Sequence, residues 1–169
     1  MALNKNTLKQ NLINNFTDIR DNVKSKEDSA DGFAQAIVDY SSDAVLPAAL
    51  NSSITTAQIG LPALKSGILA SYEAQDATMG LVSTAIVTYV LASFTSFVIG
   101  SNSGIGVSTM TIPPVFAPSM AIGMGGGSIE DVSDSLATTI HVAYLSIVFT
   151  GIVILSGAAG TVVTAMPIL

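Results

Sequence analysis

Residues 77–129 contain no charged side chain, and this stretch constrains the fold of the chain more than any other feature. It is rich in Ser, Thr, Gly and Pro as well as in apolar residues, so it is not a simple hydrophobic block. Water must be excluded from such a stretch by the chain's own fold, by neighbouring protein copies or by a lipid bilayer. The first question is therefore what covers this stretch, and only then whether the chain carries a catalytic site.

The composition of the whole chain points the same way. Charged residues make up 11% of its 169 residues, whereas about 25% is usual in soluble domains. The length suffices for an ordinary domain with a core of useful size. Because a free globular protein needs charge on its surface to stay in solution, we expect an oligomer, a tight complex or a membrane protein.

Charge and residue usage argue against several classes of function. The net charge of −6 and the total of six Lys and Arg do not favour nucleic-acid binding, which requires a basic surface. The absence of cysteine removes disulfides, thiolate metal sites and cysteine nucleophiles. The polar residues 1–15 do not resemble an export signal. We expect no nucleic-acid partner and no small-molecule substrate.

Two helices are predicted near the start of the chain. Apolar residues at helical spacing predict an amphipathic helix over residues 6–24, which either packs on the rest of the domain or docks on a partner subunit. A charged turn follows. The second helix is predicted to begin at Ser29 or Asp31 and to end before Pro47, because proline cannot continue a helix.

A short motif recurs along the chain. The sequence Ala-Ile-Val-x-Tyr occurs at 36–40 and 85–89, and a looser version occurs at 140–144. Each copy suits a helix, and each leads into Ser/Thr/Val/Ile-rich sequence typical of strands. The predicted strands cover residues 95–99, 105–112 and 146–154, and a final short strand is predicted to end at Pro167.

These patterns predict an α+β fold. An N-terminal amphipathic helix is followed by helix-then-strand units that include an apolar antiparallel β portion. The predicted organisation is a helical arm with its charged turn at 1–28 and a single assembly domain at 29–169. Within the second part, repeated units are expected near 30–60, 77–112 and 128–155.

A membrane protein is the alternative interpretation. Residues 79–99 and 141–163 are each long and apolar enough to cross a bilayer. Their many hydroxyl and β-branched residues favour strands, their flanks are acidic, and the chain has no tryptophan for an interfacial belt. The alternative would take the form of a small holin-like protein with two spans.

No group of residues predicts a catalytic, cofactor or metal site. His141 is the only histidine, and its apolar neighbours favour a structural role. Glu130, Asp131 and Asp134 lie at the start of a predicted helix that opens with a capping-box pattern of Ser128 and Asp131, and the helix dipole accounts for acidic residues there. The glycine-rich segments lack the Lys-Ser/Thr ending of a phosphate-binding loop.

The N-terminal sequence resembles a family of virion proteins. Residues 1–9 read Met-Ala-Leu-Asn-Lys-Asn-Thr-Leu-Lys, and an acidic linker then leads to the Ala-Ile-Val-Asp-Tyr motif at 36–40. Over about its first 45 residues the chain resembles small structural proteins of T4-like tailed phages, of the cyanophage type. The resemblance implies a virion location, no enzymatic activity and no site residues. The apolar runs at 79–99 and 141–163 depart from the family and keep the membrane alternative open.

The expected function is that of a non-enzymatic structural component of a tailed-phage virion, in the tail, baseplate or neck. Its partners would be other virion proteins and further copies of itself, joined through uncharged apolar faces. The residues predicted to form this assembly interface are Leu8, Leu12, Phe16, Ile86, Val87, Tyr89, Phe94, Phe97, Tyr144 and Phe149.

Overall fold

Helices and strands occur together in the computed structural model of the chain, which confirms the α+β class. The structure describes residues 3–21, 24–46, 52–76, 79–99, 102–110, 127–154 and 161–169. Within these residues there are five helices and five strands. The helices are α1 (Lys5–Arg20), α2 (Lys26–Ser42), α3 (Leu61–Glu73), α4 (Gly80–Ser93) and α5 (Ile129–Leu145).

Side-chain caps set the beginnings of three helices. The Asn4 side chain accepts hydrogen bonds from the first turn of α1. Ser25 with Asp28 and Ser128 with Asp131 form capping boxes at α2 and α5, and the second of these was predicted from the sequence. The predicted start of α2 at Ser29 or Asp31 is wrong. The helix begins about one turn earlier because the Ser25–Asp28 pair satisfies the free N–H groups there.

The strands form one antiparallel sheet in chain order. Neighbours in the sheet are also neighbours in sequence, from β1 at one edge to β5 at the other. The pairings around β3 place Ile105 opposite Ile152 and Val107 opposite Thr150. The strands are β1 (Ser52–Ile54), β2 (Ser96–Ile99), β3 (Asn102–Thr109), β4 (Val148–Ile154) and β5 (Thr161–Pro167).

The recurring tyrosine motif marks three corresponding places in the fold. Its copies lie towards the C-terminal ends of α2, α4 and α5, and each of these helices is followed by a strand. The tyrosines of the three copies, Tyr40, Tyr89 and Tyr144, are all buried. Helices α1 and α3 have no copy of the motif, so the repeat accounts for only part of the helical layer.

The N-terminal helix belongs to the core. Leu8 and Leu12 are fully buried, and α1 packs against both α2 and α5. The Lys5 ammonium lies 3.4 Å from a carboxylate oxygen of Asp134 on α5. Of the two predicted alternatives for this helix, the structure has the one in which it packs on the rest of the domain, and the predicted boundary at residue 28 falls inside α2. The apolar stripe of α1 is covered by the chain itself.

The two predicted membrane windows are not continuous helices. The window at 79–99 contains α4 and then β2, and the window at 141–163 contains the end of α5 and then β4. Among the residues that the structure describes, no helix is long and apolar enough to span a membrane.

The sheet has one face against the helices and one face that the described residues leave largely uncovered. On the inner face Phe97 and Phe149 are fully buried, and Ser108 is nearly so. The Phe97 ring packs on Phe94, which ends α4, with ring centroids 6.2 Å apart. The alternate side chains of β2, β3 and β4 point away from the helices. We call these side chains the outer face: Ser96, Val98, Ile105, Val107, Thr109, Val148, Thr150 and Ile152.

Candidate functional site

Most of the predicted interface residues lie inside the chain. Phe16 and Val87 are only partly buried. The other eight are fully buried in the chain's own core, so the folded chain does not present them to a partner. These eight are Leu8, Leu12, Ile86, Tyr89, Phe94, Phe97, Tyr144 and Phe149.

This correction has a simple physical reason. Helical spacing of apolar residues identifies a face that must be buried, but it does not say whether the same chain or another one covers it. In this fold the apolar faces of α1 and α4 meet other helices and the sheet. An interface between folded subunits has to use side chains that the helical layer leaves exposed.

The outer face supplies such side chains. Ile105 is 61% exposed and Val107 is 63% exposed on β3, and Ile152 on β4 is 50% exposed. Ile105 and Ile152 are directly opposite each other in the register, so that their side chains adjoin on one surface. The alternation of apolar residues with glycine at Ile105-Gly106-Val107 was the sequence signal for this surface. The predicted interface did not include these residues.

The outer face is also free of charge. None of the five strands contains Asp, Glu, Lys or Arg, and residues 135–169 contain none either. All charged residues of the chain belong to helices or to segments next to helices. The fold therefore separates a charged helical layer from an uncharged sheet surface.

A glycine pair holds the inner face of β3 and β4 close to the core. Gly106 and Gly151 face each other across β3 and β4. A Cβ atom on Gly106 would collide with the Thr150 carbonyl oxygen, and one on either glycine would meet the Phe149 ring. Glycine at both positions lets Phe149 lie over the strands, where its ring packs 5.0 Å from that of Phe97. The sheet is thereby anchored to the core through its inner face.

The buried tyrosines form a polar cluster within the helical layer. The rings of Tyr40 and Tyr144 pack 5.1 Å apart, and the hydroxyls of Ser41 and Tyr144 are 2.8 Å apart. Burial raises the pKa of Tyr144 well above 10, and the neighbouring Tyr89 raises it further. The hydroxyls therefore stay protonated at neutral pH and act as hydrogen-bonding groups of the core.

Two buried hydroxyls differ from the rest of the core. Tyr89 and Ser133 each have a buried side-chain oxygen without a hydrogen-bond partner among the described residues. Burial raises the pKa of Tyr89 to about 12, and the Ser41 and Ser93 hydroxyls, which lie close to the Tyr89 hydroxyl without the geometry of a hydrogen bond, oppose this effect. An unpartnered buried hydroxyl lowers stability, because it has lost its water without gaining a replacement.

His141 is hydrogen-bonded to a tyrosine of the core. Its Nδ1 atom lies 2.5 Å from the Tyr40 hydroxyl. Because burial raises the pKa of Tyr40 well above 10, the hydroxyl keeps its proton and donates to the neutral imidazole. Desolvation, with a smaller effect of Lys5, lowers the pKa of His141, which favours that neutral form.

The acidic residues at the start of α5 are used for helix capping and for packing. Asp131 completes the capping box, and Glu130 and Asp134 pair with lysines of α1. Desolvation acts to raise the pKa of Asp134, but Lys5 and Lys9 outweigh it and lower the pKa. In the described part of the chain, no group of His, Cys, Asp and Glu has the arrangement of a metal site.

A pocket of about 420 Å³ lies between the end of α1 and the connection from α3 to α4. Gln75 and Met79, which line it, both have a φ of +51°, a conformation that few residues other than glycine adopt. Inside the pocket, the Ser29 and Tyr72 hydroxyls are 3.4 Å apart. This mostly apolar lining does not select a particular class of ligand.

Comparisons with protein families, with curated proteins and with solved structures find no match to the chain. The function is therefore argued from the geometry of the chain itself. Of the features described above, the outer face combines exposure, apolar character and regular structure over several strands.

Proposed function

We propose that the chain is a non-enzymatic structural subunit that assembles into a larger particle through the outer face of its sheet. A single observation carries this proposal, namely that Ile105, Val107 and Ile152 are half or more exposed on one uncharged surface. Adjoining exposed aliphatic side chains on a regular surface are typical of a protein–protein interface.

The free energy available at such a surface supports assembly. Burying apolar area contributes about 25 cal/mol per Å², and a standard interface buries about 1,600 Å² in total. Loss of translational and rotational freedom offsets a large part of this gain. The outer face has no charged group to desolvate, so it avoids the largest additional cost of burial.

The proposed particle is a tailed-phage virion, and the proposed position is the tail, baseplate or neck. The support for this location is the resemblance of roughly residues 1–45 to small virion proteins of T4-like phages. The outer face supports assembly in general and is consistent with any of these positions. A holin-like membrane protein is the alternative. Fractionation of an infected culture distinguishes it from a virion protein.

Fractionation of an infected culture tests the proposed location. Mass spectrometry of purified particles should detect the chain, and washing the particles with concentrated salt should not remove it, because an uncharged interface is insensitive to screening. Recovery of the chain only after detergent extraction of host membranes would contradict the proposal.

A matched pair of variants tests the surface. Val107→Lys places a charge on the outer face, and Val142→Lys places the same charge on α5 at a site of similar exposure, 54% against 63%. Both changes make the chain less acidic, so general repulsion between subunits falls equally. We expect the first variant to be lost from purified particles and the second to be retained. Equal incorporation of the two would contradict the assignment of the outer face.

A further inference from the structure

We propose that a second copy of this chain covers the outer face, with the two sheets packed face to face. This inference rests on the proposed function and deepens it by naming the partner. Two antiparallel sheets that pack through their apolar faces form a sandwich with a layer of interdigitating side chains about 10 Å thick between them. Here each copy would contribute the side chains of β2, β3 and β4.

The distribution of charge favours this arrangement. Each copy carries a net charge of −6, so two copies repel each other when their helical layers approach. The charges lie on the helices and beside them, whereas the strands have none. A face-to-face dimer keeps both acidic layers on the outside, at the greatest distance from each other. The sheet surface is thus where two copies can approach without pairing like charges.

The outer face is chemically suited to pack against the outer face of a second copy. Aliphatic side chains of Ile105, Val107 and Ile152 lie together, and the hydroxyls of Thr109 and Thr150 lie beside them. An uncharged surface of this kind best fits a surface that also has no unpaired charge, since a partner's charge would lose its water on contact. The chain itself carries such a surface.

Helix α4 presents a second uncharged surface, which is narrower. Leu81 and Leu91 are exposed on it, with Thr84 and Thr88 between them. These four side chains follow a single helical stripe, whereas the outer face extends over several strands. We therefore assign the contact between copies to the sheet, and Leu91→Lys serves as a control for the helix.

Light scattering during size-exclusion chromatography tests the proposed dimer on the full chain. The wild type should have twice the 17.3 kDa mass of one chain. Val107→Lys should have the mass of one chain, while Val142→Lys and Leu91→Lys should remain dimeric. Added salt should not dissociate the dimer, because the interface is uncharged and screening weakens the repulsion between copies. Circular dichroism should show that all three variants are folded.

The outcomes separate this inference from the proposed function. A wild type with the mass of a single chain at micromolar concentration, or a Val107→Lys variant that stays dimeric, would overturn the second copy as the partner. If the wild type is monomeric and yet Val107→Lys is excluded from particles, the outer face binds a different protein and the proposed function survives. If the wild type is absent from purified particles, the proposed virion function fails regardless of its mass.

Discussion

The helical layer and the outer face of the sheet are made of opposite kinds of side chain. The helices carry the charged residues, and the Lys5–Asp134 and Lys9–Glu130 pairs join α1 to α5. The outer face has neither charges nor ion pairs, and its largest exposed side chains are aliphatic. The charged residues are therefore confined to α1, α2, α3, the start of α5 and the segments next to them, whereas the sheet and α4 have none.

The two faces of the sheet differ as well. The inner face joins the helical layer through the rings of Phe97 and Phe149, whereas Val107 on the outer face contributes nothing to the core of a single chain. In the proposed assembly, the stability of the subunit and the contact between subunits would depend on alternate residues of the same strands.

Truncation on the two faces of the sheet should have very different effects on the isolated chain. Phe97→Ala removes a fully buried ring between Phe94 and Phe149. We expect it to lower the free energy of unfolding by about 3–5 kcal/mol, as measured by urea denaturation. Val107→Ala, measured on a chain held monomeric by dilution, should change it by less than about 1 kcal/mol. Similar losses in the free energy of unfolding for both variants would show that the two faces of the sheet do not have separate roles.

Two tyrosines of the recurring motif should respond in opposite ways to loss of the hydroxyl. Tyr144→Phe breaks the hydrogen bond to Ser41 inside the core, so it should lower the free energy of unfolding by about 1 kcal/mol. Tyr89→Phe removes a buried hydroxyl that has no partner among the described residues, so it should be neutral or stabilising. Thermal unfolding of both variants compares them directly. A larger loss of stability for Tyr89→Phe than for Tyr144→Phe would contradict the hydrogen bonding described for these tyrosines.

The helical layer should lose stability in mild acid. The folded state lowers the pKa of His141, chiefly by desolvation, so the unfolded chain binds a proton more readily. The stability contributed by the neutral imidazole is therefore present above about pH 6.5 and is lost as the pH falls through the folded pKa. His141→Asn keeps an acceptor for Tyr40 but does not titrate, and should flatten the stability profile between about pH 7 and pH 5. An unchanged dependence of stability on pH in this variant would exclude His141 as the source of the acid sensitivity.

The ion pairs between α1 and α5 should contribute little. Lys5 and Lys9 lie 3.4–3.5 Å from Asp134, and the Asp134 side chain is 46% exposed. Asp134→Asn should lower the free energy of unfolding by less than about 1 kcal/mol, and concentrated salt should abolish the difference from the wild type. A larger effect that persists in salt would mean that charge, and not the burial of Leu8 and Leu12, holds α1 in place.

Local sequence signals predicted much of the fold. Ser128 with Asp131 marked the start of α5, and the tyrosine motif marked the ends of three helices that are each followed by a strand. The final short strand was expected to end at Pro167, where β5 ends. Such signals succeed because capping, turn chemistry and hydrophobic periodicity act over a few residues.

The interface could not be predicted in the same way. Phe97 and Val107 are both apolar residues of strands, but only the packing of the helices decides which face of the sheet is covered. Ile86 illustrates the difficulty. It is fully buried in α4, so Ile86→Asp would unfold the chain and would not report on assembly. Which side chains stay exposed is a property of the whole fold.

Chemical labelling in the assembled state tests the central role of the outer face most directly. The chain has no cysteine, so Ile105→Cys and Val142→Cys each provide a single site for a maleimide reagent. Both sites should react in the isolated monomer, since both side chains are more than half exposed. In the assembled particle we expect position 105 to be protected and position 142 to react. Full labelling of position 105 in the assembly would contradict the assignment of the outer face as the interface.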